Sequence, residues 1–310
     1  MKVATIDVGT NTTLLLVADA TSTSAVHVLQ NRAEITRLGR GIGNDGRLGD
    51  EGIARTLDVL REYAAAAANH GAAIRAIGTE ALRRAPNAQD FLGPAASILG
   101  TPLEVINGER EATLTYLAAV TSFPHIAKLP IVVIDIGGGS TEVVVSEAGH
   151  IQSRVSLPVG AVRLTERFVR HDPATAEETA AIDNDLQTHL QGLPPRATGN
   201  RPFQLVGTAG TVTTLAAMSL GLTDYDPDRV HGHHLTRQAL TAQLERIARA
   251  AQAERQTFAG LDPRRADVIF AGARILNAFV QHLGVDEVLV NDRGIRWGLL
   301  YETLAAAGLK

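Results

Sequence analysis

One pattern is written twice in this chain. ATIDVGTNTTLLLVAD, beginning at Ala4, resembles VVIDIGGGSTEVVVSE, beginning at Val132. Each is an apolar strand ending in Asp-x-Gly, a turn of small residues, a Ser or Thr, and a second apolar strand. Asp7 and Asp135 lie 128 residues apart, and the strand-end pair Gly78-Thr79 recurs as Gly207-Thr208 at a spacing of 129. Two independent landmarks at nearly one offset argue for a duplicated domain, which neither short motif would support alone. The 310 residues leave room for two cores of ordinary size.

Local patterning fits that duplication. Residues 2–8 and 12–19 read as strands joined by a tight turn at Gly9-Thr10-Asn11, with a third strand within 25–38. Ile53, Leu57, Leu60 and Ala64 recur at helical spacing, so 50–70 reads as a helix with Asp50 as N-cap. A strand at 74–79, a helix in 87–99, a strand at 103–106 and a helix over about 109–120 follow. The second half runs in the same order: strands near 131–136, 141–147 and 150–157, then helices near 160–170 and 174–191. A strand at 203–207, a helix over about 211–220, a strand at 287–291 and a final helix from about 294 complete it. Asp262-Pro263 reads as the opening of a helix to about 283. The fold class is therefore α/β, two domains each with a mixed sheet flanked by helices. The expected halves are 1–124 and 125–310, hinged over Pro124–Pro130, with the final helix at about 295–310 able to pack back on the first.

Composition excludes several function classes. Without cysteine there are no disulfides, thiolate metal sites or cysteine nucleophiles. No apolar run approaches the roughly 18 residues of a membrane span, and the amino terminus enters a strand without a signal-peptide pattern. A cytoplasmic protein without membrane attachment is expected. The net charge of −4 says little, because a polyanion site needs only a local basic patch. Of the 29 basic residues only Lys2, Lys128 and Lys310 are lysine; the arginines suit phosphate, or simply reflect codon bias.

The chemistry concentrates in the turns. Gly137, Gly138, Gly139 and Ser140 can present backbone N–H groups with no side chain in the way, as phosphate cradles do. Thr10, Asn11 and Thr12 form the equivalent turn, adding hydroxyl and amide donors. Gly207, Thr208, Ala209, Gly210 and Thr211 end a strand and open a helix, whose N-terminus favours anions. A glycine turn after a strand is usually only a tight hairpin, but three such turns on one interdomain cleft make a pocket for a chain of phosphates.

Several side chains admit two readings. Asp7 and Asp135 can hold Mg²⁺ or its bound water against phosphate, or can cap their own turns. Glu142 stands where the first repeat has Leu14, either as outward alternation of a strand or as a metal ligand. Glu111 falls in a helix's first turn, where the dipole favours its ionised form and an acid can orient or deprotonate water. Glu109 is its rival, and acids also stand in first turns for helix stability alone. Arg83 and Arg84 can clamp phosphate at the start of another helix or face solvent. His231, His233 and His234 read as cleft-edge residues on a strand, since no carboxylate stands at a supporting metal-site spacing. There is no Walker A sequence, no Gly-x-Ser-x-Gly elbow and no nucleic-acid-binding motif.

These segments together resemble the exopolyphosphatase / guanosine pentaphosphate phosphohydrolase family of the actin-like superfamily, over essentially the whole chain. Asp7-Val-Gly-Thr-Asn-Thr12 is similar to the family's first phosphate loop, with threonines where serines are commoner. Gly78-Thr-Glu-Ala-Leu-Arg83 resembles the segment whose arginine binds phosphate. Asn107-Gly-Glu-Arg-Glu111-Ala is similar to the catalytic segment, which implies Glu111 as the base, with Arg110 replacing a commoner glutamate. Asp135-Ile-Gly-Gly-Gly-Ser-Thr-Glu142 matches the second loop without departure and implies Asp135 and Glu142 as magnesium-associated carboxylates. Gly207–Thr211 resembles the third loop, and Asp292-Arg-Gly-Ile-Arg-Trp-Gly298 the closing motif.

The resemblance implies two ribonuclease-H-like (actin-like) domains, Mg²⁺ as cofactor and a homodimer. It implies hydrolysis of terminal phosphoanhydride bonds in inorganic polyphosphate, with pppGpp to ppGpp as a further reaction. Longer members carry further helical domains that this sequence ends before. Two other readings are an actin-like ATP-dependent kinase and a non-catalytic polyphosphate or guanosine-nucleotide sensor. No stretch stands out as a sugar or adenine pocket, and Glu111 and Glu142 argue against a mere sensor.

Overall fold

The computed structural model describes residues 1–42, 46–191, 193 and 203–309. The chain divides into two compact units, Met1–Thr121 with Gly294–Lys310, and Ser122–Arg293.

In the first unit β1 (Lys2–Val8), β2 (Thr13–Ala20) and β3 (Val26–Glu34) form an antiparallel meander. Strands β4 (Ala73–Gly78) and β5 (Leu103–Val105) run parallel to β1 on its other side, giving the order β3-β2-β1-β4-β5. Both faces of β1 and β2 are buried, which explains their near-continuous apolar sequence. Ala4, Ile6, Leu15 and Val17 pack with Leu57, Leu60 and Tyr63 of α1 (Asp50–Asn69) and with Phe91. Val3, Leu16 and Ala18 pack with Trp297, Leu300, Tyr301 and Leu304 of the last helix, Ile295–Ala306. Each buried valine, leucine, isoleucine or phenylalanine among them contributes about 1.5–3 kcal/mol. Helices α2 (Glu80–Arg84), α3 (Ala88–Leu99) and α4 (Gly108–Ser122) follow β4 and β5 in turn.

The second unit repeats this plan. β6 (Ile131–Ile136), β7 (Thr141–Glu147) and β8 (His150–Leu157) form the meander, and β9 (Gln204–Thr208) runs parallel to β6. β11 (Glu287–Asn291) pairs parallel with β9, and β10 (His234–Thr236) adds an antiparallel edge. The order β10-β11-β9-β6-β7-β8 is that of the first sheet with one strand added. Repetition holds to the residue: Val8 pairs with Thr13 as Ile136 pairs with Thr141. A bulge interrupts the meander between Val17 and Ala18, and again between Val145 and Ser146. Helices α5 (Ala161–Phe168), α6 (Ala176–Leu190), α7 (Ala209–Ser219) and α8 (Pro227–Val230) follow in chain order. After them come α9 (Arg237–Arg249), α10 (Gln252–Arg255), α11 (Ile269–Leu283) and the last helix, α12. No helix among the described residues is long and apolar enough to cross a membrane.

Three of the sequence expectations are corrected by the fold, and the helices α8, α9 and α10 were not expected. Asp262 caps only a short 3-10 turn, Pro263–Arg265, and α11 begins at Ile269, where the sustained apolar pattern starts. A cap and a proline set a start but cannot sustain a helix. Gly49, not Asp50, is the N-cap of α1, and Asp50 lies in the first turn. Of His231, His233 and His234 only His234 lies on a strand; His231 follows α8, stacks on Phe123 with centroids 4.7 Å apart, and burial lowers its pKa.

Candidate active site

Both small-residue turns close on one hydrogen bond, Gly9 N–H to Thr12 O and Gly137 N–H to Ser140 O, each 3.0 Å. The other carbonyls of the second turn are tied into the start of α5. Gly137 O accepts from Ala161 N–H, Gly138 O from Val162 and Arg163 N–H, and Gly139 O from Arg163 Nε at 2.7 Å. The N–H groups of Gly138, Gly139 and Ser140 donate to no acceptor among the described residues. Such a row of amides is the donor set an oxyanion requires. In the first turn Thr10 O and Asn11 O likewise accept from Gly39 and Arg37 N–H. The Thr10 hydroxyl, expected as a phosphate donor, instead donates to Glu80 Oε2 at 3.3 Å.

The carboxylates stand on the strands flanking the second turn. Asp135 on β6 is directly opposite Glu142 on β7, and Thr208 on β9 is registered with Asp135 from the other side. Registered neighbours share one face of a sheet, so these three side chains form a row. Ser156 extends it beyond Glu142, and Asn291 beyond Thr208. Glu142 is 1% exposed and Asp135 8%, which removes the solvent-facing reading of Glu142. Its Oε1 accepts from the Ser156 hydroxyl at 2.7 Å. Like charges directly opposite on a sheet repel, and a hard cation between them offsets that repulsion. Two carboxylates side by side are oxygen ligands of the kind a hard cation that keeps most of its water accepts. The equivalent row of the first sheet reads Ala33, Leu14, Asp7, Ile77, Glu104. The two halves are alike in fold and unlike in chemistry.

At the third turn the Thr208 hydroxyl donates to Asn291 O at 2.8 Å, and Ala209 adopts a left-handed φ of 69° as α7 opens. A Cβ on Gly210 would lie 2.2 Å from Arg265 Nη1, so Arg265 rests directly on the turn. Burial lowers the Arg265 pKa below that of a solvated guanidinium. A desolvated guanidinium beside a helix N-terminus has the chemistry of a phosphate contact. Nothing local in the sequence marked it; the 3-10 turn that carries it was read as helix.

In the first unit, Asn107 opens α4: its carbonyl and Oδ1 accept from the N–H groups of Glu111 (3.0 Å) and Arg110 (2.9 Å). Glu111 is buried in the first turn, whereas Glu109 is exposed. Arg83 on α2 donates through Nη1 to Glu111 Oε2 at 2.8 Å and to Ile106 O at 2.7 Å. The residue expected to clamp phosphate therefore meets the residue expected to act as base. Arg84 turns to Glu80 at 3.1 Å. Arg110 is engaged with Glu302 at 2.9 Å and Glu104 at 3.5 Å.

Amide-lined turns at strand ends, repeated in two related α/β units and flanked by buried acids, define a phosphate-handling protein. The chain belongs to the Ppx/GppA phosphatase family, whose pattern matches residues 16–307. It is 35% identical over 315 aligned residues to Exopolyphosphatase 2 of Mycobacterium tuberculosis, covering 96% of this chain and 97% of that protein. It is 30% identical over 304 residues to the guanosine-5'-triphosphate,3'-diphosphate pyrophosphatase of Photobacterium profundum, covering 97% of this chain and 59% of that one. The crystal structure of the Aquifex aeolicus family member matches with a TM-score of 0.83 at 33% identity, over 100% of this chain and 99% of that one. The two mixed sheets flanked by helices are the two actin-like domains expected.

Proposed function

We propose that this chain hydrolyses terminal phosphoanhydride bonds, releasing orthophosphate from inorganic polyphosphate and converting pppGpp to ppGpp. The observation that carries the reading is the pair Asp135 and Glu142 beside a turn whose carbonyls are all engaged and whose Gly138, Gly139 and Ser140 amides are available. Similarity over nearly the whole of both chains to an exopolyphosphatase, and over 97% of this chain and 59% of the other to a guanosine-5'-triphosphate,3'-diphosphate pyrophosphatase, supports the substrate class.

Water attacks the terminal phosphorus in line with the departing bridging oxygen. Glu111 positions this water and takes its proton. Arg83, already paired with Glu111, holds the terminal phosphoryl group beside that base. The amides of Gly138, Gly139 and Ser140, with Asn11, Thr12 and the turn Gly207–Thr211, hold phosphoryl oxygens. Asp135 and Glu142 are the carboxylates that would hold Mg²⁺, and Asp7 is the corresponding strand-end acid of the first unit. When bound, that ion supplies countercharge to the phosphoryl oxygens. Phosphoryl transfer needs placement and countercharge more than covalent chemistry, so glycines, acids and arginines suffice. The same reading takes a cytoplasmic homodimer as the working form.

The test is phosphate release with Mg²⁺ from short polyphosphate, long polyphosphate and pppGpp, side by side. Orthophosphate as the first product from at least one of them is expected. Release from none, or internal scission of the polymer, would overturn the reading.

A further inference from the structure

We propose that Ser156 is a positioning residue for the Glu142 carboxylate, holding it in the orientation that receives the divalent cation. This rests on the reading of Asp135 and Glu142 as the cation's carboxylates.

The placement follows from a backbone irregularity. The hairpin joining β7 to β8 turns at Ala148 and Gly149, both left-handed, and pairs Glu147 with His150 and Ser146 with Ile151. Continued without interruption, that register would set Glu142 opposite Val155. The bulge between Val145 and Ser146 shifts it by one residue, so Val143 meets Val155 and Glu142 meets Ser156. A one-residue shift exchanges the faces of a strand. Because of the bulge, the carboxylate gains a hydroxyl neighbour instead of an apolar one.

The bond itself is short and charge-assisted. Ser156 Oγ donates to Glu142 Oε1 at 2.7 Å, and Glu142 is 1% exposed. A serine hydroxyl has one hydrogen to give, and giving it to Oε1 fixes the rotation of the carboxylate about its last bond. Asp135 stands directly opposite on the other side of Glu142. Glu142 is thus held between a donor on β8 and a second acid on β6, and the donor fixes which way its oxygens point. Hydrogen bonds of this kind behind metal-binding carboxylates commonly set affinity by tenfold or more.

The experiment titrates the purified full chain with Mn²⁺ as probe, followed by electron paramagnetic resonance without substrate, on wild type, Ser156→Ala, Ser156→Thr and Glu142→Gln. Ser156→Ala is expected to raise the Mn²⁺ Kd by about tenfold, and Ser156→Thr, which keeps the hydroxyl, to restore it. In turnover, Ser156→Ala should raise the Mg²⁺ concentration for half-activation and leave the KM for polyphosphate unchanged. A merely structural serine would lower the melting temperature without moving the Mn²⁺ Kd. Wild-type Mn²⁺ affinity in folded Ser156→Ala, with affinity lost in Glu142→Gln, overturns the role of Ser156. Wild-type affinity in Glu142→Gln instead overturns the underlying cation reading. If Ser156→Ala does not fold, Ser156→Cys, a weaker donor, takes its place: a several-fold weaker Kd supports the role, and an unchanged one overturns it.

Discussion

Replacing Gly160 by alanine tests whether the Gly137–Ser140 turn must sit where it does. Gly160 precedes α5 with φ −158°, an extended conformation any residue adopts, so the effect is steric alone. A Cβ there would lie 2.5 Å from the carbonyl carbon and oxygen of Gly138 and 2.6 Å from Gly139 N. Ordinary contact begins at 3.4 Å, so the turn must retreat by about 0.9 Å, and no flexible side chain can absorb the shift. Overpacking of this size costs about 1–3 kcal/mol of stability. Moving a charge-stabilising donor set by about 1 Å costs on the order of 10²-fold in rate. Urea denaturation and initial rates of phosphate release from polyphosphate measure the two effects. Gly93→Ala in α3, where a Cβ meets nothing within 4 Å, is the control and should be neutral or slightly stabilising. A folded Gly160→Ala protein with kcat within a few-fold of wild type would refute the claim that these amides do the positioning.

Two further outcomes are expected. Arg83→Lys keeps the charge and loses the planar guanidinium whose Nη1 meets both Ile106 O and Glu111, so kcat/KM for polyphosphate should fall by about tenfold, or ~1.4 kcal/mol. Glu178 caps α6, accepting from the N–H groups of Thr175 and Arg170 and pairing with His171, which holds its pKa down from 4.5 to about 2. A depressed carboxylate stabilises the fold at pH above about 4.5, and that contribution is lost as pH falls towards 2. Melting temperature against pH should therefore be flatter over that window in Glu178→Gln, from a lower starting value.

The duplication was legible because it lies in short contiguous strings, and the structure repeats those strings down to the Gly9 and Gly137 hydrogen bonds. The places of Glu111 and Arg83 on their helices were also legible, since a first helical turn and a strand-end segment set them locally. Their contact was not, because it joins α2 to α4 across 28 residues. Ser156 was hidden by the β7–β8 bulge, which no spacing rule anticipates. Arg265 was hidden because its guanidinium reaches Gly210 through tertiary packing. Thr10 looked like a phosphate donor until Glu80, buried on α2, claimed its hydroxyl. The start misread at Asp262 had a local source: Asp262-Pro263 carries a cap and a first-turn proline, but the apolar run begins only at Ile269.

The central claim is that one buried acid, Glu111, orients and deprotonates the attacking water. Single-turnover phosphate release by Glu111→Gln, whose amide keeps the shape and removes the base, tests it most directly. The account predicts a normally folded protein whose rate falls by on the order of 10²-fold or more; a rate near that of wild type would contradict it.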